Sequence, residues 1–149
     1  VSTKSLEKTS IQYAKKLMKQ KKYNNKEVTS FINTHITESN PIFISASLEP
    51  IVKAISSIEN IPYIASKIES IDNIYTGRFS KDITRKKHIE LIQKFDINLS
   101  QVKYYLVTDN YEDLEMARNS IETLFITNKS RSYLKKSFFN LPNLKIISN

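Results

Sequence analysis

Cysteine is absent from the 149-residue sequence, and its absence removes several kinds of chemistry at once. Disulfide bonds, thiolate zinc sites and cysteine nucleophiles are all excluded. The N-terminal residues 1–8 lack the apolar centre of a secretory signal. No stretch approaches the roughly 18 uninterrupted apolar residues of a membrane span. A cytoplasmic protein that does not enter a membrane is therefore expected.

Glycine is almost as scarce, since Gly77 is the only one in the sequence. A Gly-rich phosphate loop and a dinucleotide-binding fingerprint each need several glycines. Both are excluded, and no organic cofactor site is expected.

Acidic residues are outnumbered by basic ones, which gives a formal net charge of +8. A basic surface attracts phosphate backbones. The lysines are nevertheless spread along the chain, apart from a group between residues 15 and 22. Neither an RNA-type aromatic motif nor zinc-finger spacing accompanies them. The charge is explained by a composition rich in Lys, Asn and Ile, and nucleic-acid binding is not expected.

The order of secondary structure predicts an α/β fold in a chain long enough for one domain. The patterns predict an N-terminal helical segment over 1–25 and an α/β core over 26–149. Residues 68–79 predict a small hairpin around Asp72-Asn73 and Gly77. From residue 42 strand and helix mainly alternate, which indicates a Rossmann-like parallel sheet with helices on both faces. Helices are expected near 5–22, 26–37, 48–58, 84–95, 111–119 and 130–138, and strands at 42–45, 62–66, 102–108, 124–127 and 145–147.

Polar side chains follow two of these strands at the point where each ends. The apolar run from Val102 ends on Asp109, and Asp113 comes four residues later. The run from Ile42 ends on Ser45, and Ser47 is placed to cap the next helix. Ligands bind where parallel strands end, because the carboxyl edge of the sheet opens onto a crevice. Carboxylate oxygens are the ligands that Mg²⁺ prefers.

A basic segment, Thr84-Arg-Lys-Lys87, lies between these two strands at the start of a predicted helix. A hydroxyl, a lysine and a pair of carboxylates, in that order, can hold a phosphoryl group beside a metal ion. Because each of these residue types is common, the hypothesis depends on their occurring together in this order.

This set of motifs resembles the haloacid dehalogenase superfamily, in particular its phosphoserine-phosphatase-like branch. The similarity runs from about Asn40 to Lys136. Ile44-Ser-Ala-Ser47 looks like the second motif, and Ile74-Tyr-Thr-Gly-Arg-Phe79 like the flap-like hairpin often found before the third. Lys87 matches the lysine of the third motif, with Lys86 as the alternative. Asp109-Asn-Tyr-Glu-Asp113 resembles the fourth, acidic motif.

The resemblance implies a role for each matched residue in Mg²⁺-dependent hydrolysis of phosphorylated small molecules. Ser45 would hydrogen-bond a phosphoryl oxygen. Lys87 would neutralise charge on the phosphoryl group and on the attacking carboxylate. Asp109 would bind Mg²⁺ directly, and Asp113 would hold the metal through water or orient Lys87.

Simpler interpretations exist for the same residues. Ser45 can be an ordinary hydroxyl at a strand end, and Lys87 a solvated helix lysine. Asp109-Asn110 can form a turn and helix cap, with Asp113 in the first helical turn. His35 lies on the apolar side of its predicted helix, so it is interpreted as a packed residue. A Ser-His-Asp triad lacks the glycine-flanked elbow of hydrolases and is set aside.

The first motif of the family, Asp-x-Asp, supplies the nucleophile that becomes an aspartyl phosphate. The first aspartate of this sequence is Asp72, so nothing before Ser45 matches that motif. Two hypotheses follow. The chain is either the phosphatase-type domain of an enzyme whose first motif lies outside it, or a non-catalytic binding or interaction module that keeps the fold.

The missing motif also predicts a structural consequence. In the family the nucleophile strand lies between the strands that end at Ser45 and at Asp109. A strand from a partner chain or a homodimer, direct pairing of the two strands, or further residues upstream would fill that position. A cap domain usually follows the first motif, and only residues 4–22 are interpreted as a remnant of one. Substrate identity does not follow from the sequence.

Overall fold

A computed structural model describes residues 1–20, 25–127 and 140–148. The helix expected near 130–138 lies outside these residues. The chain divides into two compact units. Unit 1 comprises Val1–Tyr23 and Asn40–Glu90, and unit 2 comprises Asn24–Ser39 and Leu91–Asn149.

Unit 1 is built on a mixed three-stranded sheet in the order β1-β2-β3. Strand β1 (Phe43–Leu48) runs parallel to β2 (Tyr63–Ile71), and β2 runs antiparallel to β3 (Ile74–Lys81). Helix α3 (Glu49–Glu59) connects β1 to β2 and packs against α1 (Thr3–Lys19). The side chains that α1 buries are small, Ser10 and Ala14, so the two helices can approach closely.

The hairpin predicted from the turn residues is confirmed. Asp72 and Asn73 connect β2 to β3 with φ angles of 49° and 62°. Two consecutive left-handed residues define the turn type that matches the right-handed twist of a hairpin. Asn and Asp tolerate this conformation better than other residues that have a Cβ. The strand predicted at 62–66 continues directly into this hairpin, so β2 has nine residues.

The prediction that Ser47 caps the following helix is wrong. The residue at the N-cap of α3 is Leu48, which makes no side-chain cap hydrogen bond, and Pro50 lies in the first turn. Proline fits there because the first helical N–H groups have no partner within the helix. The helix therefore starts at Glu49, one residue later than a serine cap at Ser47 would place it.

Unit 2 contains a parallel three-stranded sheet in the order β4-β5-β6. Its strands are β4 (Tyr105–Thr108), β5 (Glu122–Thr127) and β6 (Leu144–Ser148). Helix α2 (Lys26–His35) begins at Asn25, whose Oδ1 accepts from the N–H groups of Glu27 and Val28. Helix α4 (Lys87–Phe95), whose first four residues belong to unit 1, precedes β4 in the sequence, and α5 (Leu114–Asn119) follows it.

The parallel sheet is covered by a helix on each face. Side chains alternate between faces along a strand, and the two hydrophobic clusters of unit 2 follow this alternation. One face packs against Phe31 and Val28 of α2, and the other against Ala117 and Leu114 of α5. The first cluster takes Tyr105, Val107, Leu124, Ile126 and Ile147 from the strands, and the second takes Leu106, Phe125 and Leu144.

The predicted α/β class is therefore confirmed. Its strands, in the described part of the chain, form one mixed and one parallel sheet of three strands each. Strand β1 is at one end of its sheet order, and β4 is at one end of its own. Within residues 1–20, 25–127 and 140–148, no helix is long and apolar enough to cross a membrane.

Candidate functional site

Ser45 lies in unit 1 where the regular pairing of β1 ends. It is opposite Ala65 of β2, and the next pair is Leu48 with Ser66, so Ala46 and Ser47 form an irregularity in the register. The N–H of Ser47 donates to Ser45 Oγ over 3.1 Å. The hydroxyl is thus half-buried and held by a local backbone contact. The prediction that the strand ends at Ser45 is wrong, because β1 continues for three more residues to Leu48. A hydroxyl in this position can still donate its own proton to an acceptor.

The segment before α4 is tied to β2 beside this point. Ser66 is fully buried, and its Oγ accepts from the N–H of Ile83 over 3.2 Å. Ile83 is also fully buried, and its carbonyl accepts a hydrogen bond from the N–H of Lys86 over 2.9 Å. A continuous set of backbone and side-chain bonds therefore fixes the start of α4 relative to the strand next to β1.

The two candidate lysines differ in exposure. Lys87 is the first residue of α4 and is half-buried, whereas Lys86 is exposed. Exposure is thus what distinguishes the two candidate positions in the structure.

Asp82, a residue that sequence reasoning missed, organises the same segment. Its Oδ1 accepts from the backbone N–H of Thr84 over 2.9 Å. That hydrogen bond, with further ones from the hydroxyls of Thr84 and Ser66 and the charge of Lys86, lowers the pKa of the Asp82 carboxyl. The signal in the sequence is Asp-x-Thr before a basic run, the pattern of a turn in which Asp bonds its own backbone two residues on.

The acidic segment of unit 2 begins at the end of β4. Thr108 and Asp113 are both buried, with 8% and 6% of their surface exposed. Thr108 Oγ1 donates to Asp113 Oδ2 over 2.7 Å and accepts from the N–H of Asn110 over 3.0 Å. A buried carboxylate is costly unless hydrogen bonds satisfy it. Thr108 therefore fixes Asp113 against the end of the strand, although the sequence analysis did not select it.

Asp109 differs from Asp113 because it is exposed, directly after β4. The following residue, Asn110, caps the single turn Tyr111–Asp113 by accepting from the N–H of Glu112 over 2.9 Å. The interpretation of this segment as a turn and helix cap is thus correct for Asn110. The loop thus carries three acidic residues, of which Asp113 is buried and hydrogen-bonded, whereas Asp109 and Glu112 are exposed.

His35 has the packing role expected of it. Its ring stacks on Tyr105 of β4 with centroids 3.7 Å apart, and the Phe31 ring lies edge-on to it at 4.7 Å. The histidine therefore belongs to the contact between α2 and the sheet of unit 2.

The predicted residues are distributed over both units. Ser45, Lys86 and Lys87 belong to unit 1, where bonded segments link them, and Asp109 and Asp113 share one loop of unit 2. Among the residues that the structure describes, no three His, Asp or Glu side chains are grouped so that they could hold a metal ion. Neither a protein-family model nor a curated protein sequence matches this chain.

Proposed function

We propose that this chain is a phosphatase-type domain related to the haloacid dehalogenase superfamily, acting on phosphorylated small molecules with Mg²⁺. The observation that carries the proposal is the acidic loop at the end of β4. A parallel strand covered on both faces ends in Thr108, and an exposed and a buried carboxylate follow within five residues. The carboxyl ends of such strands are where α/β sheets bind ligands.

The residues of unit 1 supply a second argument. Ser45 ends the regular part of β1, and the backbone before Lys87 is bonded to the neighbouring strand β2. In the proposed function Ser45 donates a hydrogen bond to a phosphoryl oxygen. Lys87, or Lys86 in its place, neutralises the charge of the phosphoryl group.

The aspartates of the loop support the proposal of Mg²⁺, because carboxylate oxygens are the ligands that this ion prefers. This ion keeps several of its waters and is commonly held by one or two carboxylates, so a cluster of three protein ligands is not required. Asp109, which is exposed, would bind the ion directly. Asp113, which accepts from Thr108, would hold it through water. The bound ion would offset the negative charge of the phosphoryl group.

A non-catalytic binding module is the second candidate, because this sequence has no aspartate before Asp72. Hydrolysis through an aspartyl phosphate needs a carboxylate nucleophile at the first motif. The edge positions of β1 and β4 in their own sheets agree with a further strand belonging beside each of them. In this alternative the fold retains affinity for phosphate and Mg²⁺ without turnover.

Incubation with a generic phosphomonoester and Mg²⁺ distinguishes the two candidates. Turnover above background that is lost in Lys87→Ala and Asp109→Asn supports a complete catalytic domain. Binding of Mg²⁺ and inorganic phosphate without turnover supports the binding module, or an enzyme that takes its nucleophile from elsewhere. Failure to bind either ion contradicts both forms of the proposal. An exposed lysine distant in sequence, Lys145→Ala, serves as the matched control for Lys87→Ala.

A further inference from the structure

Helix α1 carries a row of lysines along its solvent-exposed side. With 3.6 residues per turn, four of them fall within an arc of about 60°. This row lies opposite the small side chains, Ser10 and Ala14, that α1 buries. All four side chains are exposed. We call this row the lysine stripe, and it consists of Lys4, Lys8, Lys15 and Lys19.

The positive charge of the stripe is not neutralised by the described part of the chain. The helix contains a single acidic residue, Glu7, whose Oε1 lies 3.4 Å from Lys53 Nζ of α3. No ion pair joins a stripe lysine to an acid of the described residues. A fifth exposed lysine, Lys16, borders the stripe and adds to its charge.

The length of the lysine stripe allows it to contact several negative charges of one extended polymer. At 1.5 Å per residue, the rise from Lys4 to Lys19 is about 22 Å. Duplex nucleic acid carries one negative charge per roughly 1.7 Å of its axis. We propose that the lysine stripe is a docking surface for the phosphate backbone of double-stranded nucleic acid, without sequence preference.

A duplex fits this surface better than a single strand does. Proteins that bind single strands combine a basic groove with aromatic side chains on which bases stack. The stripe contains no aromatic residue. The exposed aromatic residue of α1 is Tyr13, which lies about 150° around the helix from the centre of the stripe. Contacts to phosphates alone are thus what the stripe can make.

A membrane surface is a less suitable partner for the lysine stripe than duplex nucleic acid. A helix that lies in the lipid interface buries a continuous apolar face among the acyl chains. The face of α1 with the least exposed side chains is already occupied, because it packs against α3. Ile11 and Met18 border the stripe with 46% and 38% of their surface exposed, but two separated side chains do not make such a face.

This proposal departs from the expectation drawn from composition, which treated the lysines as spread along the chain. The spacing of four, seven and four residues becomes one stripe only when the segment is a straight helix with its opposite side buried. The stripe contains none of the residues of the proposed phosphatase function. The two proposals therefore stand or fall separately.

Fluorescence anisotropy of a labelled random-sequence duplex of about 20 base pairs tests the proposal across a series of salt concentrations. With four phosphate contacts, log K should fall with log salt at a slope of about −3.6. Substituting the four stripe lysines with Gln should weaken binding at least about tenfold at low salt and flatten the slope. Gln is a good helix former, so α1 is expected to persist, which far-UV circular dichroism checks.

The matched control lowers the net charge by the same four units at exposed lysines outside α1. Its substitutions are Lys26→Gln, Lys67→Gln, Lys103→Gln and Lys145→Gln. The control should change the dissociation constant less than about threefold and keep most of the salt slope. Equal losses in both variants would show attraction by net charge alone and overturn the proposal. Absence of binding by the unmodified chain, or binding to phosphatidylserine vesicles but not to the duplex, would also overturn it.

Discussion

At the scale of single residues, the contact between Thr108 and Asp113 governs the acidic loop. The hydroxyl satisfies a carboxylate that is almost fully buried, and it also receives the N–H of Asn110. Loss of a hydrogen-bond partner at a buried polar group costs more than an ordinary hydrogen bond contributes, because the remaining group stays desolvated. The Thr108 hydroxyl at the end of β4 therefore contributes to the geometry of the loop through two hydrogen bonds.

Thr108→Val keeps the shape of the side chain and removes its hydroxyl. We expect the free energy of unfolding to fall by about 1–3 kcal/mol, since the buried Asp113 carboxyl group loses the hydrogen bond from Thr108. Urea denaturation measures the change. The control is Thr34→Val in α2, whose exposed hydroxyl donates only to the Ser30 carbonyl, with an expected change within about 0.5 kcal/mol. Equal effects of the two substitutions would contradict the role of Thr108.

This contact also shows what the sequence could and could not predict about the candidate site. Asp109 and Asp113 follow an apolar run, so their place at a strand end was predictable from the pattern. The partner of Asp113 was not, because it depends on a single helical turn that brings residue 113 back to residue 108. Asp82 was missed for a related reason, since its partners lie in a loop that period-based patterns do not describe.

At the scale of secondary-structure elements, most segments were predictable from apolar spacing, and their ends were not. The alternating faces of β4 and β5 follow directly from the sequence, since alternate side chains enter different hydrophobic clusters. The start of α3 did not follow, because Pro50 in the first turn set it rather than the hydroxyl of Ser47. The residue at which a helix starts therefore depends on tertiary packing as well as on the local capping residue.

The contact between α1 and α3 contains an unsatisfied group. Ser10 is 2% exposed, and its Oγ has no hydrogen-bond partner among the described residues. Ser10→Ala should raise the free energy of unfolding by about 1 kcal/mol, because it removes a desolvated hydroxyl and favours the helix. The control is Ser5→Ala at an exposed position of the same helix, which measures the difference in helix propensity between Ser and Ala without a change in burial. Thermal or urea denaturation compares them, and a gain no larger for Ser10 than for Ser5 would contradict the assignment.

Tyr104 connects the start of β4 to α5, and this link predicts a dependence on high pH. Its hydroxyl donates to the Met116 carbonyl over 2.6 Å. Burial, with a smaller contribution from the charge of Glu115, raises the pKa of Tyr104 to about 12. The stability that the neutral phenol contributes is therefore complete below about pH 10, the value for an unfolded chain, and is lost as the pH rises to about 12.

Denaturation of the unmodified chain and of Tyr104→Phe between pH 9 and about pH 12 measures this contribution. The unmodified chain should be the more stable of the two at pH 9, and the difference should shrink above about pH 10. A difference that stays constant across this range would show that the phenol does not lose its hydrogen bond on ionisation.

At the scale of the whole molecule, the two units carry different parts of the proposed chemistry. Unit 1 holds the hydroxyl and the lysines, and unit 2 holds the carboxylates. The α/β class was predictable because strand and helix signals alternate from residue 42. The division of the strands into a mixed and a parallel sheet was not, since β1 and β4 give no local sign in the sequence that they end a sheet.

The central claim is that the acidic loop is a metal-binding site. Its most direct test is calorimetric titration of Mg²⁺ into three proteins: the unmodified chain, Asp109→Asn and Asp113→Asn. Asp109 is exposed, and Asp113 is bonded to Thr108. Asp109→Asn should therefore weaken binding more than Asp113→Asn, whose amide oxygen can still accept from Thr108. Absence of Mg²⁺ binding by the unmodified chain, or equal or reversed effects of the two substitutions, would contradict the account.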